Sequence, residues 1–571
     1  MEIASAPNLV SLFFARVAEK GDASFLFDKH DGRWRAWSWN AVAHQVAALA
    51  EGLRALGLAR GDRVLLVSEN RPEWCIADLA IMAAGCVTVP AYTSNTTADH
   101  AHVLADSGAR AAIVSTAALA DTLLPAIAAS DDCRIVIGID PLAVGAAGNA
   151  RLHQWATMLA EQPGDVAACA AGADFTRQDL ACIIYTSGTG GAPRGVRQHH
   201  GAILHNCAGA DDVIRGDFGA GDEVFLSLLP LSHAYEHSAG QHFPISIGAQ
   251  IYYAESIERL AANMEEVRPT IMVVVPRLFE LLRARILKGI DKQGRVARWL
   301  LAAALSPKAG LLKPLLDRTI RKRVQQRFGG RIKALVSGGA PLNPEVGSFF
   351  QALGLNLCQG YGQTEAGPVI AVNRPAAGIA MHTVGPPLKG CEVRIAEDGE
   401  ILARGENVMH GYWRNEAETA RVLVGGWLHT GDVGHIDDAG RLVITDRKKD
   451  IIVNDKGDNV SPQRVEGMLT LEPEIAQAMV VGDRRPYLVG LIVADREWAS
   501  ALPAGTSVRD GLSAAVDRVN ARLSTTERVR RFLIADEPFT IDNGALTPSL
   551  KVKRHVLRAR YGDRLDALYA R

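Results

Sequence analysis

Residues Tyr185 to Val196 read YTSGTGGAPRGV, directly after an apolar run formed by Leu180, Ala181, Ile183 and Ile184. A short apolar run that ends abruptly in hydroxyls and glycines predicts a buried strand delivering a phosphate-binding loop. Gly188, Gly190, Gly191 and Gly195 can take positive φ and let the backbone come close to an anion. Thr186, Ser187 and Thr189 add hydroxyl donors to backbone N–H groups that can form an anion-binding concavity. A plain glycine-rich surface loop is the competing reading of the stretch taken alone.

Two familiar nucleotide loops fail here. Gly190 and Gly195 have the spacing of a Walker A loop, but Val196 and Arg197 stand where that loop needs Lys and Ser/Thr. The dinucleotide fingerprint fails too, because Pro193 falls at its third glycine.

Outward from the loop, residues 60–115 alternate between a strand (63–67), a helix (74–85), a strand (87–92), a helix (99–107) and AAIVS. This is βαβ grammar and predicts a parallel sheet covered by helices. It resumes with strands at 224–229, 250–253 and 271–276, a helix over 257–267, and strands at 333–336 and 356–359. The last two open into SGGAPL (337–342) and GYGQTEAG (360–367), so three strand ends deliver glycine- and hydroxyl-rich loops. In parallel α/β sheets, ligands bind at such carboxyl ends.

Beyond residue 384 the pattern changes. EVRIAEDGEILARG (392–405) reads as a hairpin and GRLVITDRKKDIIVND (440–455) as strand, charged break, strand. The expected fold is α/β: a large N-terminal domain of parallel-sheet βαβ subdomains plus a β-rich subdomain (1–446), a hinge at 446–450, and a small α+β C-terminal domain (451–571).

Composition narrows the function classes. The 571 residues are 48% hydrophobic and 22% charged, which is ordinary for a soluble globular chain. Lys and Arg number 62 against 63 Asp and Glu, a net charge of −1 that offers no electrostatic case for bulk nucleic-acid binding. The eight cysteines are scattered without a CxxC pair, which predicts reduced thiols and a cytoplasmic protein. The start MEIASAPNLV lacks the basic opening of a signal peptide, and no apolar run reaches spanning length. Residues 299–323, Leu-rich with Arg318, Arg321, Lys322 and Arg323, carry the one candidate for peripheral membrane contact; an ordinary surface helix with a solvated basic face is the alternative.

YTSGTGGAPRGV, LPLSHAYE (229–236), SGGAPL, GYGQTE, GWLHTGD (426–432), DRKKD (446–450) and LTPSLKVKR (546–554) occur in the order found in the adenylate-forming, or AMP-binding, superfamily. Together they resemble most its long-chain fatty acyl-CoA synthetases, over roughly residues 60–554. The resemblance implies an AMP-forming acid–thiol ligase. A carboxylate attacks the α-phosphate of ATP, giving acyl-AMP and pyrophosphate, and the thiol of CoA then displaces AMP. Such chemistry asks the protein chiefly to position reactants and offset phosphate charge.

By the same resemblance, Thr186, Ser187, Gly188 and Thr189 hold the β- and γ-phosphates, Thr364 lies on the α-phosphate, and Glu365 ligates Mg²⁺, a hard cation suited to one or two carboxylates beside phosphates. Tyr361 flanks the adenine, with Gly338, Gly339 and Ala340 on its other side. Asp432 accepts from the ribose hydroxyls and Arg447 donates to them. His233 sits at the acyl carboxylate end; its spacing to His237 mimics a zinc pair but lacks the HExxH form. Lys551 matches the mobile catalytic lysine, with Lys553 as its rival from sequence alone. Lys449 matches the hinge, and Gly457 lets the pantetheine arm of CoA pass close to the backbone.

Two residues depart from the family pattern: Gly190 where Thr is usual, and Arg194 where Lys is usual. Gly190 removes a hydroxyl donor; Arg194 keeps the charge and changes its geometry. An acyl-AMP ligase loading a carrier protein and a catalytically degenerate nucleotide-binding homologue are the alternative readings.

Overall fold

In the computed structural model, which describes all residues except 144–147, 187–191, 307–309, 311, 504, 548–549 and 571, the βαβ alternation builds two large sheets. The first has the order Arg151–Gln154, Ile135–Gly138, Ala111–Val114, Arg63–Val67, Val87–Ala91, Leu180–Thr186, Arg194–His199. All its neighbours are parallel except the last pair. The second runs Val369–Val372, Leu357–Gly362, Ala334–Ser337, Ile271–Val274, Val224–Ser227, Gln250–Tyr253, Ser24–His30, Arg33–Ser38, parallel except at both edge pairs.

Successive strand side chains point to opposite faces, and the burial follows. Val64 and Leu66 enter the core shared by both sheets, whereas Leu65 and Val67 enter a separate core on the outer face. The shared core also takes Phe25, Phe225 and Ile251 of the second sheet and the helix Pro72–Ala83, every residue of which is buried. Burial on all sides explains why that helix reads as a continuous apolar run rather than a stripe.

Some boundaries differ from the sequence reading for local reasons. The strand Val224–Ser227 stops before Leu229, whose carbonyl accepts from the Asn70 side-chain amide at 2.7 Å instead of from a neighbouring strand. The edge pair Ser24–His30 and Arg33–Ser38 lies outside the alternation legible from residue 60 onward.

A five-stranded antiparallel sheet follows, made of Glu392–Ile395, Glu400–Arg404, Leu423–Val424, Trp427–Ile436 and Leu442–Arg447. Its first two strands form the expected hairpin, turned at Gly399 with φ +83°. From residue 452 onward, Ile475–Val481, Leu488–Ala494 and Val529–Ile534 form a small sheet. Helices Pro462–Leu469 and Val508–Asn520 pack on one face and the basic helix Arg554–Asp566 on the other. This part seats against the preceding chain through the Arg277 guanidinium donating to the Ala476 carbonyl (2.9 Å), the Asn343 amide donating to the Gly467 carbonyl (2.9 Å), and an Arg522–Glu345 ion pair.

All eight cysteines are buried and unbridged. Among the described residues no helix is long and apolar enough to cross a membrane.

Candidate active site

The carboxyl ends of both large sheets open into one cleft of about 650 Å³, lined by Ala91 and Thr186 from the first sheet, Gly338 and Gly362 at strand ends of the second, and Lys551 from the C-terminal part. The strand Leu180–Thr186 arrives as the sequence predicts, and Thr186 pairs with Arg194 of the antiparallel neighbour. Ser187, Gly188, Thr189 and Gly190 lie outside the described residues. Gly195 differs from expectation: it sits inside a strand, and a Cβ there would stand 2.7 Å from Ile183 Cγ2. Close packing of strands, not a positive φ, requires glycine at 195.

On one wall, Tyr361 and Arg447 converge on Asp432. The Tyr361 hydroxyl donates to Asp432 Oδ2 at 2.8 Å and Arg447 Nε donates to Oδ1 at 2.9 Å. Sheet register fixes the second contact, because Asp432 and Arg447 are directly opposed across antiparallel strands. Tyr361 and Arg447 line the cleft while Asp432, 4% exposed, is bonded to both and is not itself a lining residue. Burial pushes the Tyr361 phenol well up, and the neighbouring carboxylate adds to it. Gly339 takes φ +81°, whereas Gly338 is glycine because the Tyr235 ring fills the space of its side chain, 2.7 Å from a Cβ. Ala340, next on the loop, is not among the lining residues.

Thr364 and Glu365 begin the short helical turn after Gly362 and both line the cleft. The Gln198 side-chain amide donates to the Thr364 carbonyl at 2.7 Å, tying this turn to the first sheet. Glu365 is 8% exposed, and its Oε1 accepts from the Tyr412 hydroxyl at 2.8 Å. The Arg194 guanidinium lies over the Tyr412 ring, 4.6 Å from its centroid, and also pairs with Glu418. Tyr412 is a site residue that the sequence reading missed; its local signal is no more than the Tyr412–Trp413 pair in NVMHGYWRN (407–415). A single carboxylate oriented through one oxygen, with the hydroxyls of Thr364 and Thr186 on the same cleft, is a donor set of the kind Mg²⁺ shares with phosphates.

His233 lines the cleft, and its Nδ1 accepts from the Tyr235 backbone N–H at 3.2 Å. That bond leaves Nε2 as the protonated nitrogen. Burial, reinforced by the nearby Lys551, pushes the His233 imidazole down to about 3, so it is neutral at pH 7.

The Lys551 N–H donates to Thr547 Oγ1 at 3.0 Å and the Thr547 N–H donates to the Lys551 carbonyl at 2.8 Å. The cleft walls desolvate its ammonium and Arg447 repels it; Asp432 and Glu365 oppose these effects, and the result is a lysine pushed down to about 8. Lys553 lines the same cleft and caps the helix Arg554–Asp566, so proximity alone does not separate the two lysines. Lys449 reaches the cleft as well, but Gly457, φ +87°, sits on an exposed turn outside it.

The description "AMP-binding enzyme" matches residues 13–413, and "AMP-binding enzyme C-terminal domain" matches 449–571. The chain belongs to the AMP-binding enzyme family. Within the family it is 33% identical to the long-chain-fatty-acid–CoA ligase FadD15 of Mycobacterium bovis, over 98% of this chain and 97% of that one. It is 28% identical to the chloroplastic long-chain-fatty-acid–[acyl-carrier-protein] ligase AEE15 of Arabidopsis thaliana, over 97% and 85%. The adenylation domain of a carboxylic acid reductase from Segniliparus rugosus, solved with AMP and a co-purified carboxylic acid, shares the fold with a TM-score of 0.81 at 21% identity, over 99% of this chain and 95% of that one.

Proposed function

We propose that this AMP-binding enzyme condenses a long-chain fatty acid with ATP to acyl-AMP and pyrophosphate, then transfers the acyl group to CoA. The observation that carries the reading is the convergence of Lys551 from the C-terminal part with Thr364, Glu365 and the Tyr361–Asp432–Arg447 cluster on one cleft.

In this reading Asp432, already braced by Tyr361 and Arg447, orients the ribose, and the loop at 338–340 lies against the adenine opposite Tyr361. Thr186 to Thr189 hold the terminal phosphates. Neutral His233 offers its Nε2–H at the acyl carboxylate end. The Lys551 ammonium sits where negative charge grows on the α-phosphate as the carboxylate attacks, and such preorganised charge is worth most in a desolvated cleft. Glu365 and Thr364 would hold Mg²⁺, which when bound offsets phosphate charge.

For thioester formation the segment after 450 turns about residues 446–450, withdrawing Lys551 and bringing the Gly457 turn toward the cleft. In the present arrangement Lys448 bonds to Asp398 and Glu400 at 2.6 and 2.8 Å, contacts that hold the hinge until the turn begins. A cytoplasmic enzyme acting on long acyl chains would meet membranes peripherally, and Val296 and Trp299, 71% and 53% exposed beside Arg295 and Arg298, supply a surface for that contact.

The test is pyrophosphate release with ATP and Mg²⁺ across acids from acetate through palmitate to benzoate, with and without CoA, scoring products by mass. A CoA-dependent thioester peaking at long chains is expected. Pyrophosphate without acyl-CoA, but with acyl transfer to a carrier protein, would assign the acceptor of the Arabidopsis relative instead; silence throughout a folded preparation would sink catalysis altogether.

A further inference from the structure

Away from the cleft, Asp78, His237 and His242 meet in the core shared by the two large sheets, and the proposed reaction uses none of them. Asp78 comes from the fully buried helix Pro72–Ala83 and the histidines from the segment His237–His242. Asp78 and His237 are 0% exposed and His242 is 2% exposed. The three ligand-type atoms form a nearly equilateral triangle: His237 Nε2 to Asp78 Oδ2 is 2.9 Å, His242 Nε2 to Asp78 Oδ2 is 3.2 Å, and the two Nε2 atoms are 3.2 Å apart.

The backbone is irregular where it brings the histidines together. At about 100° per residue, an i, i+5 pair on an α-helix points about 140° apart. Residues 237–242 instead form one turn of π-helix, whose i→i+5 bonding brings residue i+5 back over residue i. His237 and His242 therefore share a face that α-helical geometry would deny them. Such turns occur mostly as single insertions and cluster at functional sites.

Hydrogen bonding alone leaves this cluster poorly satisfied. Asp78 Oδ2 receives both imidazoles and the Gln241 amide, the last at 2.8 Å. Asp78 Oδ1, His237 Nδ1 and Gln241 Oε1, all buried, have no partner among the described residues. Unpartnered buried polar atoms are rare and costly. Two imidazole nitrogens and one carboxylate oxygen are a donor set for zinc-class divalent ions, and zinc–ligand bonds of about 2.0–2.1 Å give tetrahedral edges of about 3.3 Å, close to the edges seen here.

We propose that Asp78, His237 and His242 form a buried structural site for a zinc-class divalent cation. Asp78 Oδ1 and Gln241 Oε1, unpartnered in the same cluster, are the further oxygen donors available to such an ion. The ion would cross-link the helix Pro72–Ala83 to the segment that continues from His233, since the His237 N–H donates to the His233 carbonyl at 3.0 Å. It would thereby brace the cleft wall carrying His233 and Tyr235 without entering the reaction. His233, on the cleft rather than in the core, is not one of the ligands.

The full chain, expressed with zinc supplied and dialysed against metal-free buffer, is analysed for metal by mass spectrometry. About one zinc per chain is expected, falling below about a tenth in the isosteric Asp78→Asn and in His242→Gln, which replaces the ligating imidazole by a neutral amide. Chelator-stripped wild-type protein should regain Tm on adding zinc, and cobalt should give the visible absorption of a four-coordinate site. Because the wild-type readings do not depend on the variants folding, they decide the matter alone. Wild-type protein holding less than about a tenth of an equivalent, with no Tm response to zinc, overturns the proposal. So does zinc retained unchanged by both folded variants.

Discussion

Tyr412 donates a 2.8 Å hydrogen bond to Glu365 Oε1 while its ring lies beneath the Arg194 guanidinium. Arg194, a departure from the usual lysine, therefore stands over the residue that orients the proposed metal ligand. A planar guanidinium can stack on a ring in a way an ammonium cannot. Removing the hydroxyl in Tyr412→Phe frees Glu365 to rotate. A hydrogen bond to a charged group is worth about 1.5–3 kcal/mol, so the Mg²⁺ concentration for half-maximal pyrophosphate release should rise about tenfold or more, with Tm little changed. An unaltered Mg²⁺ titration would remove Tyr412 from this role.

Lys551→Ala should depress adenylation about 100-fold or more, the scale for removing one charge stabiliser from a transition state. Thioester formation from supplied acyl-adenylate should survive, since in the proposed cycle Lys551 withdraws for that step. Single-turnover assays of each half-reaction separate the two. Equal loss of both refutes the assignment, and a larger effect from Lys553→Ala moves the role by two residues.

Lys551 also sets a pH limb. A lysine pushed down to about 8 is charged below that pH and loses its proton as pH rises through it. The kcat/KM for ATP, which reports groups of the free enzyme, should therefore fall above about pH 8. Neutral His233 contributes no limb between pH 5 and 8, because it takes up a proton only near 3. In Lys551→Arg the alkaline limb should move beyond the measurable range, whatever the residual rate. A limb unmoved in that variant would belong to another group.

Leu550, immediately before the lysine, has φ +61°, a conformation that costs a non-glycine L-residue about 1–2 kcal/mol. Its side chain packs against the C-terminal core, so truncation alone should destabilise. Leu550→Gly and Leu550→Ala lose the same packing, but only glycine relieves the backbone. The glycine variant should be the more stable of the two by about 1 kcal/mol, which urea unfolding of both can check; alanine ahead of glycine would contradict it.

Much of the architecture is legible because periodicity is a local property. The strands Arg63–Val67 and Gln250–Tyr253 fall where the apolar runs place them, and the hairpin around Gly399 follows from its alternation and turn. What sequence hides is partnership at a distance. Strand alternation tells that Leu65 faces away from its neighbour Val64, but not which distant segments build the core on each side, and nothing near Glu365 announces a phenol 47 residues onward. The Asp432–Arg447 pair stands between these cases: the motifs name both residues, but only the strand register sets them opposite each other.

The strand Ser24–His30 has its parallel partner at Gln250–Tyr253. On a ribosome adding about 5–20 residues per second, the chain would wait roughly 10–45 s before that partner emerges. During this interval Phe25 and Leu26, both fully buried in the finished protein, have only the neighbouring strand Arg33–Ser38 to pair with. The hairpin Ser24–His30 with Arg33–Ser38 is thus made early and completed late, the other edge of Ser24–His30 left open until the later sheet arrives.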